Sequence, residues 1–126
     1  MITVGRFGFR GAKKVQVDNA DLIVDCRGLN DPAYAVDENG KKTKRVDITL
    51  EQVQHELLEE QREPTLKLVQ KVVDAVLDDK NVCVMCMMGQ YRSQAVAAIA
   101  EEALHEDYQG KSFVGPLLLG GLKKTP

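Results

Sequence analysis

The sequence predicts a single-domain α/β layered sandwich with a mainly parallel sheet, on three observations. Short apolar runs of strand length alternate with longer stretches whose apolar residues recur at helical spacing, the pattern of parallel strands joined by helical crossovers. One of the apolar runs, Val82 to Cys86, passes through a glycine-bearing loop straight into such a helical stretch. With 126 residues, 44% of them apolar and 29% charged, the chain supports one core over residues 1–126 and is too short for two.

The elements follow in order. A strand is expected around Ile2 to Phe9, and a second at Ala20-Asp21-Leu22-Ile23-Val24-Asp25-Cys26, a partly β-branched run stopped by Arg27-Gly28. From Arg27 to about Asp47 the residues Asn30, Asp31, Pro32, Asn39 and Gly40 predict a polar loop, longer than usual connections and therefore functional or mobile. Thr49-Leu50-Glu51-Gln52 fits a capping box, opening a helix to about Arg62 with Val53, Leu57 and Leu58 on one face. Pro64 suits the first turn of a second helix, whose apolar stripe is Leu66, Val69, Val72, Val73, Val76 and Leu77. After the strand Val82 to Cys86, a stripe of Ala95, Val96, Ile99, Ala100, Ala103 and Leu104 predicts a helix from about Arg92 to His105, and a last strand is expected at Ser112 to Val114. In such sheets ligands sit beyond the carboxyl ends of the strands, which is where the loops after Cys26 and Cys86 fall.

Seventeen Lys and Arg against nineteen Asp and Glu give a net charge of −2, which removes any whole-domain argument for nucleic-acid or anionic-membrane binding. The longest uncharged stretches, Asn81 to Tyr91 and Ser112 to Leu122, are far shorter than the roughly 20 apolar residues of a membrane span. The N-terminus lacks an apolar core followed by a small-residue cleavage site, so the expected location is cytoplasmic. Cys26, Cys83 and Cys86 are an odd, small set, as reduced thiols would be. Cys83 and Cys86 form a C-x-x-C, but strand alternation sends them to opposite faces, and no further pair at ligand spacing completes a zinc site. No metal and no cofactor is expected.

Cys86-Met87-Met88-Gly89-Gln90-Tyr91-Arg92-Ser93 reads C-x-x-G-x-x-R-S between strand and helix, the plan of a phosphate-binding loop. Wrapping a tetrahedral anion requires inward backbone N–H groups, a glycine where the chain bends without a Cβ, and the positive end of a helix dipole. Gly89 and the turn after Arg92 supply them, the Arg92 guanidinium can grip two phosphate oxygens, and the Ser93 hydroxyl can donate to the anion or to the Cys86 sulfur. From typical composition, the chance of Gly, Arg and Ser all falling at these offsets from a cysteine is below about 0.1%.

Over residues 82 to 104 the chain resembles cysteine-dependent phosphatases. That resemblance implies Cys86 as nucleophile through a phosphocysteine intermediate, Arg92 holding the equatorial oxygens, Ser93 assisting the leaving thiolate and an Asp, Asp25 or Asp31 by position, protonating the leaving group. Met85 stands where those enzymes usually carry His, and no Trp-Pro-Asp-like acid loop is visible.

A second resemblance covers more of the chain. Phe7-Gly8-Phe9-Arg10-Gly11, then Ala20 to Pro32, then Cys86 to Ser93 are similar, in order and spacing, to the F-G-F-K-x-G, A-D-x-x-x-D-x-R-x-L-x-N-P and G-C-T-G-G-x-H-R-S motifs of the C-terminal domain family of the RNase adapter protein RapZ. This resemblance implies a sensor or binder of a phosphorylated small molecule, an amino-sugar phosphate in the adapter, with RNA and protein partners and no established catalysis. Carried over by position, it places Arg10, Asp25, Arg27, Asp31, Cys86, Met87, Met88, Gly89, Gln90, Tyr91, Arg92 and Ser93 around the ligand. Arg10 keeps the charge of the family's Lys. Asp31 replaces Asn, Tyr91 replaces His and Met87-Met88 replace Thr-Gly, so the pocket is expected to be less polar, its methionines offering flexible apolar contacts to a ring or base. The family's basic C-terminal segment and the adapter's nucleotide-binding half have no counterpart, so the amino-sugar specificity and the RNase partner are not carried over.

Other features read more plainly. Lys41-Lys42-Thr43-Lys44-Arg45 is a solvated basic loop whose functional alternative is an RNA contact or an extension of the anion field of the pocket, Asp25 with Arg27 is an ion pair or a pair of ligand contacts, and His55 and His105 are structural. Leu117-Leu118-Leu119 is expected to pack on the sheet, and were it exposed it would point to a homo-oligomer. The leading expectation is a module that senses or sequesters a sugar phosphate or nucleotide. The alternatives are a cysteine-dependent phosphatase, the one reading that makes the protein an enzyme, and an RNA-binding adapter.

Overall fold

The computed structural model describes residues 2–6, 19–87 and 91–104. Among these, the elements in chain order are strands β1 (Ile2–Arg6), β2 (Leu22–Asp25), β3 (Tyr34–Val36) and β4 (Lys42–Lys44), helices α1 (Leu50–Glu60) and α2 (Arg62–Leu77), strand β5 (Val82–Cys86) and helix α3 (Arg92–Leu104). The predicted parts at Phe7 to Phe9, His105, Ser112 to Val114 and Leu117 to Leu119 lie outside the described residues.

Every residue of β5 is buried, and an unbroken run of Val, Cys and Met is what a strand covered on both faces requires. It is the central strand, pairing parallel with β1 on one side and β2 on the other in the order β1-β5-β2. Val82, Val84 and Cys86 join the core cluster with the helices, while Cys83 and Met85 are buried outside that cluster, as the pleat demands. The two cysteines of the C-x-x-C therefore point to opposite faces. No group of three His, Cys, Asp or Glu able to hold a metal occurs among the described residues.

The capping box at α1 forms as the sequence predicts. The Gln52 N–H donates to the Thr49 hydroxyl at 3.1 Å and the Thr49 N–H donates to the Gln52 side chain at 2.9 Å. Val53, Leu57 and Leu58 face the core. The helix stops at Glu60 because Gln61 leaves helical geometry, and Gln61 both ends α1 and precedes α2. Pro64 lies in the first turn of α2, where its missing N–H leaves no bond unmade. Leu66, Val69, Val72 and Val73 are buried, but Leu77 is 58% exposed, because the stripe outruns the core at the last residue of the helix. The α3 stripe of Ala95, Val96, Ala97, Ile99 and Ala100 is mostly small, which lets the helix lie close against its neighbours. No helix among the described residues is long and apolar enough to cross a membrane.

The segment from Arg27 to Asp47 differs from expectation: it carries an antiparallel hairpin, with Tyr34 opposite Lys44, Ala35 opposite Thr43 and Val36 opposite Lys42. All six strand residues are exposed, so no apolar alternation announces them in the sequence. The turn makes the hairpin instead. The Asp37 carboxylate accepts from the N–H groups of Asn39 at 2.9 Å and Lys41 at 2.8 Å, and Gly40 takes a φ of 78°, where a Cβ would be strained. Arg45 ties the hairpin down, its Nη1 donating to the Pro32 carbonyl at 3.0 Å and to both Glu56 carboxylate oxygens, at 2.6 and 2.8 Å.

Candidate functional site

The carboxyl ends of β2 and β5 lie side by side, joined where the Cys26 N–H donates to the Met85 carbonyl at 2.7 Å. This gathers the candidate residues that the sequence spreads over more than sixty positions. Cys86 ends β5 and is 2% exposed, and its sulfur is 3.1 Å from the hydroxyl of Ser93, which is wholly buried in the first turn of α3. Tyr91 accepts the first backbone bond of that helix, from the Ala95 N–H at 2.8 Å. The helix axis thus starts just beyond the strand end, with its positive pole toward the loop.

Arg92 is the first residue of α3, and its guanidinium folds back to the β2 loop. Nη1 donates to the carbonyls of Arg27 at 3.1 Å and Leu29 at 2.9 Å. Nε is buried and has no hydrogen-bond partner, the Asp31 carboxylate standing 3.8 Å away. A guanidinium N–H buried in this way retains unused donor capacity. Asp31 is itself fixed, because its Oδ1 accepts the Ala33 N–H at 3.0 Å.

Asp25 and Arg27 form a two-pronged ion pair, with Nη2 to Oδ2 at 2.9 Å and Nε to Oδ1 at 3.1 Å, about half exposed to water. The Arg27 hydrogen bond holds the Asp25 carboxyl below the usual carboxylate range, against the opposing effect of burial, and the Arg27 backbone bond and the Arg27 and Arg92 charges add to it. Cys26 is the reverse case. Burial, with the neighbouring Cys86 and Asp25, pushes its thiol up to about 12 despite the opposing Arg92 charge, so it stays protonated.

Two residues edge the loop. Met87 is 45% exposed at the mouth, and Tyr91 is half-buried with the Lys44 ammonium 5.7 Å from its ring centroid. Arg10, Met88, Gly89 and Gln90 lie outside the described residues. Of the basic cluster, Arg45 is a hairpin tether, whereas Lys41, Lys42 and Lys44 are exposed.

The sequence reading missed Gln61 and named Lys44 only as part of the basic run. Lys44 reaches the loop only because the hairpin exists. Gln61 pairs its side-chain amide with the backbone of Asn30, accepting from the N–H at 2.8 Å and donating to the carbonyl at 2.8 Å, and so pins the β2 loop from the helix joint. A polar residue between two helical patterns carried no sign of this.

The family model for the RapZ C-terminal domain matches residues 1–113, nearly the whole chain. The chain belongs to the RapZ C-terminal domain family. No curated protein and no solved structure matches it at a significant level. In this RapZ C-terminal domain, Cys86, Arg92 and Ser93 meet the loop after β2 at the carboxyl ends of β2 and β5.

Proposed function

We propose that this RapZ C-terminal domain binds a phosphorylated small molecule, a sugar phosphate or a nucleotide, in the Cys86 to Ser93 loop, as a sensing or sequestering module. The observation that carries the reading is the Arg92 Nε, a buried charged donor with no hydrogen-bond partner at the N-terminal end of a helix, beyond the carboxyl edge of a parallel sheet. An anion there meets the helix pole and a guanidinium already held in place by two carbonyls. The Ser93 hydroxyl stands at the same end of α3, and Met87 and Tyr91 offer an apolar edge to the ligand's body. A phosphorus NMR titration with sugar phosphates and nucleotides tests it. Selective broadening of one ligand's signal that is lost in Arg92→Ala is the expected result, and no broadening of any signal rejects it.

One observation favours a second reading, a cysteine-dependent phosphatase: the 3.1 Å contact of Cys86 with Ser93 is the arrangement in which a hydroxyl steadies a thiolate. In that reaction the Cys86 thiolate bonds to phosphorus as the ester oxygen leaves with a proton, and water then hydrolyses the phosphocysteine. The Asp25 carboxyl, held low by Arg27, is a poor donor for that proton, which ranks this reading second. Growth of an inorganic phosphate signal, abolished in Cys86→Ser, would establish it. RNA or protein partners, as in the adapter, are a wider proposal, supported by the exposed Lys41, Lys42 and Lys44, the last of them beside Tyr91.

A further inference from the structure

Among the described residues, each arginine of the candidate site faces a carboxylate, Arg27 with Asp25 on the loop after β2 and Arg92 with Asp31 between α3 and that loop. The thiols of Cys26 and Cys86 add no positive charge, and the Lys44 ammonium sits over the Tyr91 ring at the rim. The two carboxylates differ in what they do. Asp25 is half-exposed and saturated by its partner, whereas Asp31 is about four-fifths buried and has one oxygen spent on the Ala33 N–H and the other beside the unbonded Nε of Arg92. At 3.8 Å that oxygen is an ion-pair neighbour of Nε rather than its hydrogen-bond acceptor. A phosphate oxygen that takes the Nε hydrogen must therefore settle next to a fixed negative charge.

We infer that Asp31 is a specificity-determining residue that sets the charge of the ligand: the site takes singly charged phosphates, that is phosphodiesters or monoesters in their monoanionic form, and discriminates against the dianion. This rests on the phosphoryl-binding reading above. The reason is electrostatic. A monoanion needs one new donor set, which Nε, Ser93 and the helix pole provide, while the second charge of a dianion meets the fixed Asp31 carboxylate, which repels it.

The test uses the smallest members of the two classes, so that the ligand's body plays no part. Methyl phosphate passes from monoanion to dianion as pH rises through about 6, and dimethyl phosphate stays a monoanion. Phosphorus NMR titrations of the whole chain at about pH 5 and about pH 8 are expected to show methyl phosphate binding weakened about tenfold or more at the higher pH. Dimethyl phosphate should bind equally at both, which also controls for titration of the histidines. In Asp31→Asn the methyl phosphate loss should disappear while dimethyl phosphate changes little. The amide oxygen still accepts the Ala33 N–H, and Asp31→Ser, whose hydroxyl can do the same, serves as the second variant. Equal pH slopes in the parent and both variants, with both probes bound, overturn the role of Asp31 and leave phosphoryl binding intact. Failure of both probes to bind to any of the proteins overturns the binding reading, and this inference with it.

Discussion

Replacing Arg92 by alanine should cost the fold as well as the ligand. Its Nη1 group donates to two backbone carbonyls, at 3.1 and 2.9 Å, and its side chain is only 14% exposed. Hydrogen bonds to a charged group contribute about 1.5–3 kcal/mol each, and since one nitrogen serves both carbonyls the sum is taken as about 2–4 kcal/mol. The Leu29 carbonyl, partly buried, is left needing water, which keeps the figure from falling to the lower end. For a chain of this size that corresponds to a thermal midpoint lowered by roughly 8–15 °C. With a urea slope of about 1.5 kcal/mol per molar, the denaturation midpoint falls by roughly 1.3–2.7 M at unchanged slope. Equilibrium urea unfolding followed by circular dichroism is the assay, in the absence of any anion. A loss below about 0.5 kcal/mol, the level of an ordinary surface change, would mean that the two carbonyl bonds do not hold the β2 loop, and the placement of the anion donor would fall with them.

Other consequences can be checked separately. Arg45→Ala should destabilise the chain by about 1–2 kcal/mol and speed hydrogen exchange at Tyr34–Val36 and Lys42–Lys44 before other strands, because the partly exposed Glu56 pair and the Pro32 carbonyl bond hold the hairpin. Asp25 has a folded pKa below its unfolded one, so its contribution is present above the ordinary carboxylate range and disappears as pH falls through and below it. Arg27→Ala should flatten that part of the stability curve, and only slightly, since the pair is about half solvated. Cys26, raised to about 12, should resist iodoacetamide in the native chain near pH 8 and react on unfolding, and its contribution to stability should fall as pH rises from about 9 toward 12. Thr49→Ala, which removes the capping box, should lower stability by about 1 kcal/mol in the same urea assay.

What could be read from the residues was whatever an apolar period or a backbone rule encodes. Val82 to Cys86, the Thr49–Gln52 box and the α3 stripe have such a code, and they fix the sheet centre and the helix that starts the loop. The hairpin at Tyr34 to Lys44 has none, because exposed strands made by a turn leave no alternation. The folding back of Arg92 onto the carbonyls of Arg27 and Leu29 was equally invisible, since a backbone acceptor has no letter in the sequence. The motif singles out Arg92. Only the three-dimensional arrangement reveals that one of its nitrogens is committed to the fold and that Asp31 stands beside another.

The pairing of Gln61 with the backbone of Asn30 makes the joint between α1 and α2 a mechanical part of the β2 loop that seats Arg92. A saturation scan scored by ligand response should therefore mark Gln61 as sensitive, although it does not belong to the loop itself. Inserting or deleting a residue in α1 would rotate that amide off Asn30 by about 100° and shift the loop, whereas the same change in the turn at Asp37 to Gly40 should pass with little effect on response. In a diverging lineage, helix length and loop sequence would then change together.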